Sequence, residues 1–266
     1  MTQPRISASS YSNTAPLIWS FIYGANRGKY ELILDNAPAR SAELLSQGRV
    51  DAALIPIIEY QRNPDLMLIP DVCIGAVEKV DSVCLVTDGR SLEEVSSVAL
   101  DVSSRTSASL TKILFAEFVG RTPDYIDSKP NAEKMLENAD CALLIGDPAL
   151  VVDESRFRKF DLASEWHGRT GHGFIFAMWS CPIGKKERAA EIDFEGARDE
   201  GLEHVDDIIS NYEKEIPIER RNFRKYLNET IVYKPSEKML SGLDLYIDLA
   251  FKHGLIESRK PLDFLG

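Results

Sequence analysis

The 266-residue sequence predicts an α/β fold of two lobes with a ligand cleft between them. Three observations carry this expectation. Strand and helix patterns alternate in two successive blocks, and a helical tail follows. No Pro/Gly/Ser-rich linker separates the blocks, which two lobes joined by strand crossovers would explain. Several strand patterns run directly into polar helix starts, and open α/β sheets bind ligands at such carboxyl ends.

The elements follow in order. "RISAS" (Arg5–Ser9) reads as a short strand. "SNTAPLIWSFIYGANRG" starts a helix, with Asn13 or Thr14 able to cap, Pro16 in the first turn and Gly24 or Gly28 at the exit. Leu17, Ile18, Phe21 and Ile22 share its apolar face. "YELILDNA" alternates as a strand, and "ARSAELLSQGRV" is a short helix ending at Gly48. "DAALIPI" is almost continuously apolar, as suits a strand buried on both faces. "LMLIPDVCIGAV" and "SVCLVTD" are further strands, and "SLEEVSSVALD" gives a helical turn and then a strand. Leu110, Ile113, Leu114 and Phe118 are helix-spaced in "LTKILFAEFVG", which Gly120 closes. "DYI", "DCALLIGD" and "GFIFAMWSCP" are strands, "NAEKMLENA" and "PALVVDE" helical. The tail predicts helices over Glu187–Ser210, Pro217–Leu227 and Ser236–His253. Both sheets are expected to be mainly parallel. Residues 1–86 and 181–266 are assigned to one discontinuous lobe and 87–180 to the other.

Composition narrows the function. A hydrophobic fraction of 44% and a charged fraction of 27% are those of a globular protein. A net charge of -11 argues against nucleic-acid and anionic-membrane partners. It leaves a small anionic substrate open, because a local group of backbone amides binds an anion inside an acidic protein. The start "MTQPRISASSYSN" shows no basic-then-apolar leader, and no apolar run reaches the ~18 residues of a span. A cytoplasmic protein is the expectation. Cys73, Cys84, Cys141 and Cys181 are scattered without a CxxC pair and read as buried free thiols. His167 and His172 sit five apart in an apparent Gly-rich loop, without metal-ligand spacing. No metal and no cofactor are expected, since P-loop and Rossmann fingerprints are both missing.

Four segments fall where the cleft is expected. In "SYSNTAP", Asn13 either caps its helix or offers its amide to the cleft. Ser82 in "VDSVCL" lacks the GxSxG surroundings of a nucleophile. "SSRTSAS" places Ser103, Ser104, Thr106 and Ser107 around Arg105 at a helix start. One cap needs one hydroxyl, so the excess, with the open amides of the first turn, suits a carboxylate or phosphate. In "LIGDPAL", Gly146 allows close approach to the backbone, and Asp147 is either a cap or an acceptor for a ligand hydroxyl. On the residues alone, the reading stops at a two-lobed protein binding a small anion, and leaves enzyme and binding module open.

These segments in this order resemble the chorismate dehydratase family of the futalosine route to menaquinone. The matching pieces are "RISASSYSNTAPL", "APARSAELLSQGRVDAALIPIIEY", "VDSVCL", "VALDVSSRTSASLTKIL", "DCALLIGDPAL" and "DLASEWHGRTGHGFIFAMW". The resemblance implies a type II periplasmic-binding-protein fold used as an enzyme, and dehydration of chorismate, a dicarboxylate, to 3-[(1-carboxyvinyl)oxy]benzoate. It implies catalytic roles for Asn13 and Ser82, and substrate binding by Ser104, Arg105, Thr106, Ser107, Gly146 and Asp147. Arg105 is placed either on the ligand or as a brace behind the loop. One departure is "TGHGF", where the family has an apolar residue and Pro in place of His172 and Gly173. Two other readings remain: the sister 1,4-dihydroxy-6-naphthoate synthase, whose "SPCPNDTF"-like start is replaced here by "SYSNTAP", and a non-catalytic solute-binding protein for small anions.

Overall fold

The computed structural model describes residues 3–266. Its strands are β1 (Arg5–Ser9), β2 (Glu31–Asp35), β3 (Ala52–Pro56), β4 (Leu66–Ala76), β5 (Val83–Thr87), β6 (Ser97–Asp101), β7 (Asp124–Ser128), β8 (Cys141–Ile145), β9 (Arg158–Asp161) and β10 (Phe174–Pro182). They form two five-stranded sheets, in the orders β2-β1-β3-β10-β4 and β7-β6-β8-β5-β9. The α/β, two-lobed expectation is met.

The sheets are mixed rather than mainly parallel. β1 runs parallel to β2 and β3, while β10 runs antiparallel to β3 and β4. β6 is parallel to β7 and β8, while β5 is antiparallel to β8 and β9. In each sheet an antiparallel strand next to a crossover breaks the parallel run. All of β5 lies in the second sheet and all of β10 in the first. Boundaries at 86/87 and 180/181 therefore cut through strands. Sheet membership moves the changeovers to before Val83 and before Phe174, because an apolar run does not announce which sheet it joins.

β3, β5 and β8 are buried at every residue, as their continuous apolar character requires under layers on both faces. The segment that reads as a Gly-rich loop is instead the helix Leu162–Thr170, capped by Asp161 accepting from Ser164 N at 3.0 Å. β9 went unseen because "RKFD" has no strand-like apolar pattern. The long tail helix is three: Lys186–Ala190, Phe194–Glu203 and Val205–Tyr212. The helix Glu237–Lys252 packs on β10 through two glycines. A Cβ on Gly242 would stand 2.1 Å from Gly173 O, and one on Gly173 would stand 2.7 Å from Met239 Cγ. That contact accounts for Gly173 in "TGHGF".

All four cysteines are buried free thiols. Burial pushes the Cys84 and Cys141 thiols up to about 12 and Cys181 to about 11, so all three stay protonated and unreactive. Among the described residues no helix is long and apolar enough to cross a membrane.

Candidate active site

Four strand ends meet at one cavity. β1 leads to Tyr11 and Asn13, β3 ends at Pro56, β6 leads to Ser103–Ser107, and β8 leads from Ile145 to Gly146. The first two belong to one sheet and the last two to the other, so each lobe supplies one wall.

Asn13 is held in a tight turn. Thr14 N donates to Tyr11 O at 2.9 Å, and Ala15 N donates to Ser12 O at 3.2 Å. The helix Ala15–Ile22 begins without a side-chain cap. Asn13 is thus free of capping: its Oδ1 accepts from the Thr14 hydroxyl at a long 3.4 Å, and its side chain lines the cavity.

The opposite wall is the start of the helix Arg105–Ile113. Ser104 sits at its N-cap position without a side-chain capping bond. Ala108 N makes the first helical bond, to Ser104 O at 3.0 Å. The amides of Arg105, Thr106 and Ser107 have no acceptor among the described residues. Ser103 turns back, its N and Oγ donating to Asp101 Oδ1 at 2.9 and 2.7 Å. Thr106 Oγ1 accepts from Ile58 N at 3.3 Å, which leaves its hydrogen to donate. The hydroxyls of Ser104 and Ser107 meet no protein partner among the described residues. Open amides, a helix dipole and spare hydroxyls converge on one place, a combination chemically suited to a carboxylate.

Arg105 lines the cavity, but its guanidinium is paired: Nη1 donates to Glu59 at 2.8 Å and Nη2 to Glu43 at 3.0 Å. Both partners come from the other lobe, so Arg105 braces the two walls.

Gly146 has φ +63° and ψ -146°, a conformation essentially reserved for glycine. A Cβ there would lie 2.8 Å from the Tyr11 ring. The Tyr11 ring packs against the glycine on the side where a Cβ would project, and Gly146 itself lines the cavity. Asp147 is not on the wall. Its carboxylate accepts from Ser12 N at 3.1 and 3.3 Å and from Ser12 Oγ at 2.5 Å, and so ties the lobes together. Ser82 is fully buried just behind the wall, where its carbonyl accepts from Gly146 N at 2.7 Å. Its hydroxyl makes only a long contact, 3.4 Å, to Val80 O.

The walls carry no His, Asp, Glu, Lys or Cys; Tyr11 and Arg105 are their titratable groups. Burial pushes the Tyr11 phenol up. Behind the walls, burial also pushes the Asp101 and Asp147 carboxyls up. Sequence reasoning missed Tyr11, whose only signal is an aromatic residue between the strand end and Asn13. His172 lies outside the cavity lining; its carbonyl faces His167 Nδ1 at 3.2 Å.

Two lobes joined by crossovers, with a cleft at the strand ends, define a binding-protein architecture. A Candida albicans protein described as having the generic periplasmic binding protein structural fold matches it with a TM-score of 0.70 at 12% identity, covering 98% of this chain and 93% of that one. Residues 4–252 match the family model described as menaquinone biosynthesis, and the chain belongs to that family. A chorismate dehydratase of Campylobacter jejuni subsp. jejuni is 30% identical over 213 residues, 79% of each chain. A chorismate dehydratase of Thermus thermophilus is 32% identical over 188 residues, 64% of this chain and 66% of the relative.

Proposed function

We propose that this protein is a chorismate dehydratase: a hydro-lyase that converts chorismate to 3-[(1-carboxyvinyl)oxy]benzoate and water in menaquinone biosynthesis, working in the cytoplasm. The observation that carries the reading is the cluster of open amides and hydroxyls at Ser104–Ser107, facing Asn13 across the cleft. Chorismate has two carboxylates, and the helix start takes one of them.

The reaction removes a hydroxyl from one ring carbon and a proton from its neighbour, and the ring becomes aromatic. The proton needs an acceptor, yet the walls offer no carboxylate or imidazole. The substrate's own enolpyruvyl carboxylate, held at the correct distance by the cleft, takes the proton; the ring C–O bond then breaks, and the carboxyl group returns the proton to the departing hydroxide, which leaves as water. Asn13 orients that carboxylate and stabilises charge developing in the transition state. A fixed donor in a water-excluding site contributes ~3–4 kcal/mol to such stabilisation. Ser82 stands fully buried behind the wall, so it supports the reaction only through the wall residues beside it.

Incubating the purified protein with chorismate tests the reading. An aromatic product one water lighter than chorismate is expected by mass and ultraviolet spectrum. Binding without conversion would instead indicate a solute-binding protein, and conversion only of a later pathway intermediate the sister synthase.

A further inference from the structure

Residues 220–230 lie in the tail, where the sequence is least informative, yet they pack against the back of the cleft. The helix Arg220–Lys225 runs into a widened helical turn, Tyr226–Thr230. Such widened turns concentrate at functional sites. Tyr226 is 4% exposed, and its hydroxyl makes no well-formed hydrogen bond. Its neighbours are the Ser82 hydroxyl and the Asn13 amide, with the Asp147 carboxylate farther off. Burial holds the phenol far above its ordinary range, so it stays protonated. Ser82 has only its 3.4 Å contact, and the Asn13 amide nitrogen has no protein acceptor of good geometry among the described residues. Three polar side chains from three distant segments therefore meet in the interior with none of them firmly paired.

Packing alone does not ask for this hydroxyl. A phenylalanine fills the same space and leaves no buried polar atom without a partner. The oxygen is at a disadvantage unless its neighbours use it. We infer that Tyr226 is a positioning residue of the dehydration: its phenol fixes the flip of the Asn13 amide and the rotor of the Ser82 hydroxyl. A phenol both donates and accepts, so it serves the two neighbours at once. The Asn13 side chain is then held with a donor directed into the cleft before substrate arrives. This inference rests on the dehydratase reading of the site.

The test is Tyr226→Phe, assayed with chorismate beside the wild type. The expected result is a fall in kcat of about tenfold or more with KM changed by less than about threefold, since the lost interaction acts in the transition state. The melting temperature is expected to be unchanged or higher. Because Tyr226 acts through Asn13 and Ser82, Tyr226→Phe is expected to slow Asn13→Ala by much less than it slows the wild type, the remainder passing through Ser82. Wild-type kcat in Tyr226→Phe, or losses that multiply in the double variant, would overturn the inference. So would a loss that follows lowered stability and disappears in a cooler assay. A wild-type protein that leaves chorismate unchanged overturns the dehydratase reading and this inference with it. Wild-type turnover with an undiminished variant overturns this inference alone.

Discussion

Asp147 of one lobe accepts both the backbone N–H and the hydroxyl of Ser12 from the other, at 2.5–3.3 Å. The two residues are the chain neighbours of Asn13 and Gly146, which line the cavity. Hydrogen bonds to a charged group contribute about 1.5–3 kcal/mol, so Asp147→Ala is expected to raise KM for chorismate roughly tenfold or more by loosening lobe closure. Steady-state kinetics check this, with kcat falling less than KM rises.

The same pair predicts a pH dependence. Burial raises the Asp147 pKa above its ordinary 3.8, so the fold favours the protonated form. The stability this contributes is fully present below 3.8 and is lost as pH rises through the raised value. Asn cannot titrate. The melting temperature of Asp147→Asn minus that of the wild type is expected to become more positive as pH rises from below 3.8, then level off. A difference that shrinks over this range contradicts the assignment.

Gly146 and Tyr11 form a second joint between the lobes. Substitution at Gly146 meets the Tyr11 ring at 2.8 Å and a backbone conformation at φ +63°. Backbone strain of this kind costs about 1–3 kcal/mol before any collision is counted. Gly146→Ala is expected to lower stability by at least that amount in a urea titration, and Tyr11→Ala in the same chain to restore only the part due to the ring.

Asn13→Ala is expected to reduce kcat by roughly 100- to 1,000-fold, the range seen when one preorganised donor is removed. Ser82→Ala is expected to lose less, because Ser82 stands behind the wall. His172→Ala is expected to retain activity, since His172 is outside the cavity lining. Near-normal turnover by Asn13→Ala with a dead His172→Ala would end the substrate-assisted account.

Arg105 joins Glu43 and Glu59 across the lobes, with its side chain about one-third exposed. Partly exposed pairs contribute little singly, about 0–1 kcal/mol. Arg105→Met is therefore expected to shift the melting temperature by only a few degrees at most. A large fall in kcat would show that the guanidinium meets the substrate after all.

The strands and the polar helix start were legible because period-2 and apolar runs, and an excess of hydroxyls before a helix, are local signals. "SSRTSAS" could be read as an anion site without knowing what faced it. What the sequence did not disclose depends on distant segments meeting. Asp147 reads as a cap or ligand acceptor until Ser12 is placed against it. Arg105 is ambiguous until Glu43 and Glu59 arrive from the other lobe. Tyr226 has no local mark at all, because its significance comes from proximity to residues 13 and 82. β9 escaped for another reason: four residues of "RKFD" carry too little pattern, and the pairing with β5 decides their conformation.

The most direct test of the site is a crystal structure of Asn13→Ala, slowed in turnover, with chorismate bound. The account predicts one carboxylate at the start of the helix Arg105–Ile113, its oxygens within hydrogen-bonding distance of the Thr106 and Ser107 amides. It also predicts the enolpyruvyl carboxylate beside the ring hydrogen that is lost. Chorismate seated elsewhere, or with both carboxylates turned away from Ser104–Ser107, would contradict it.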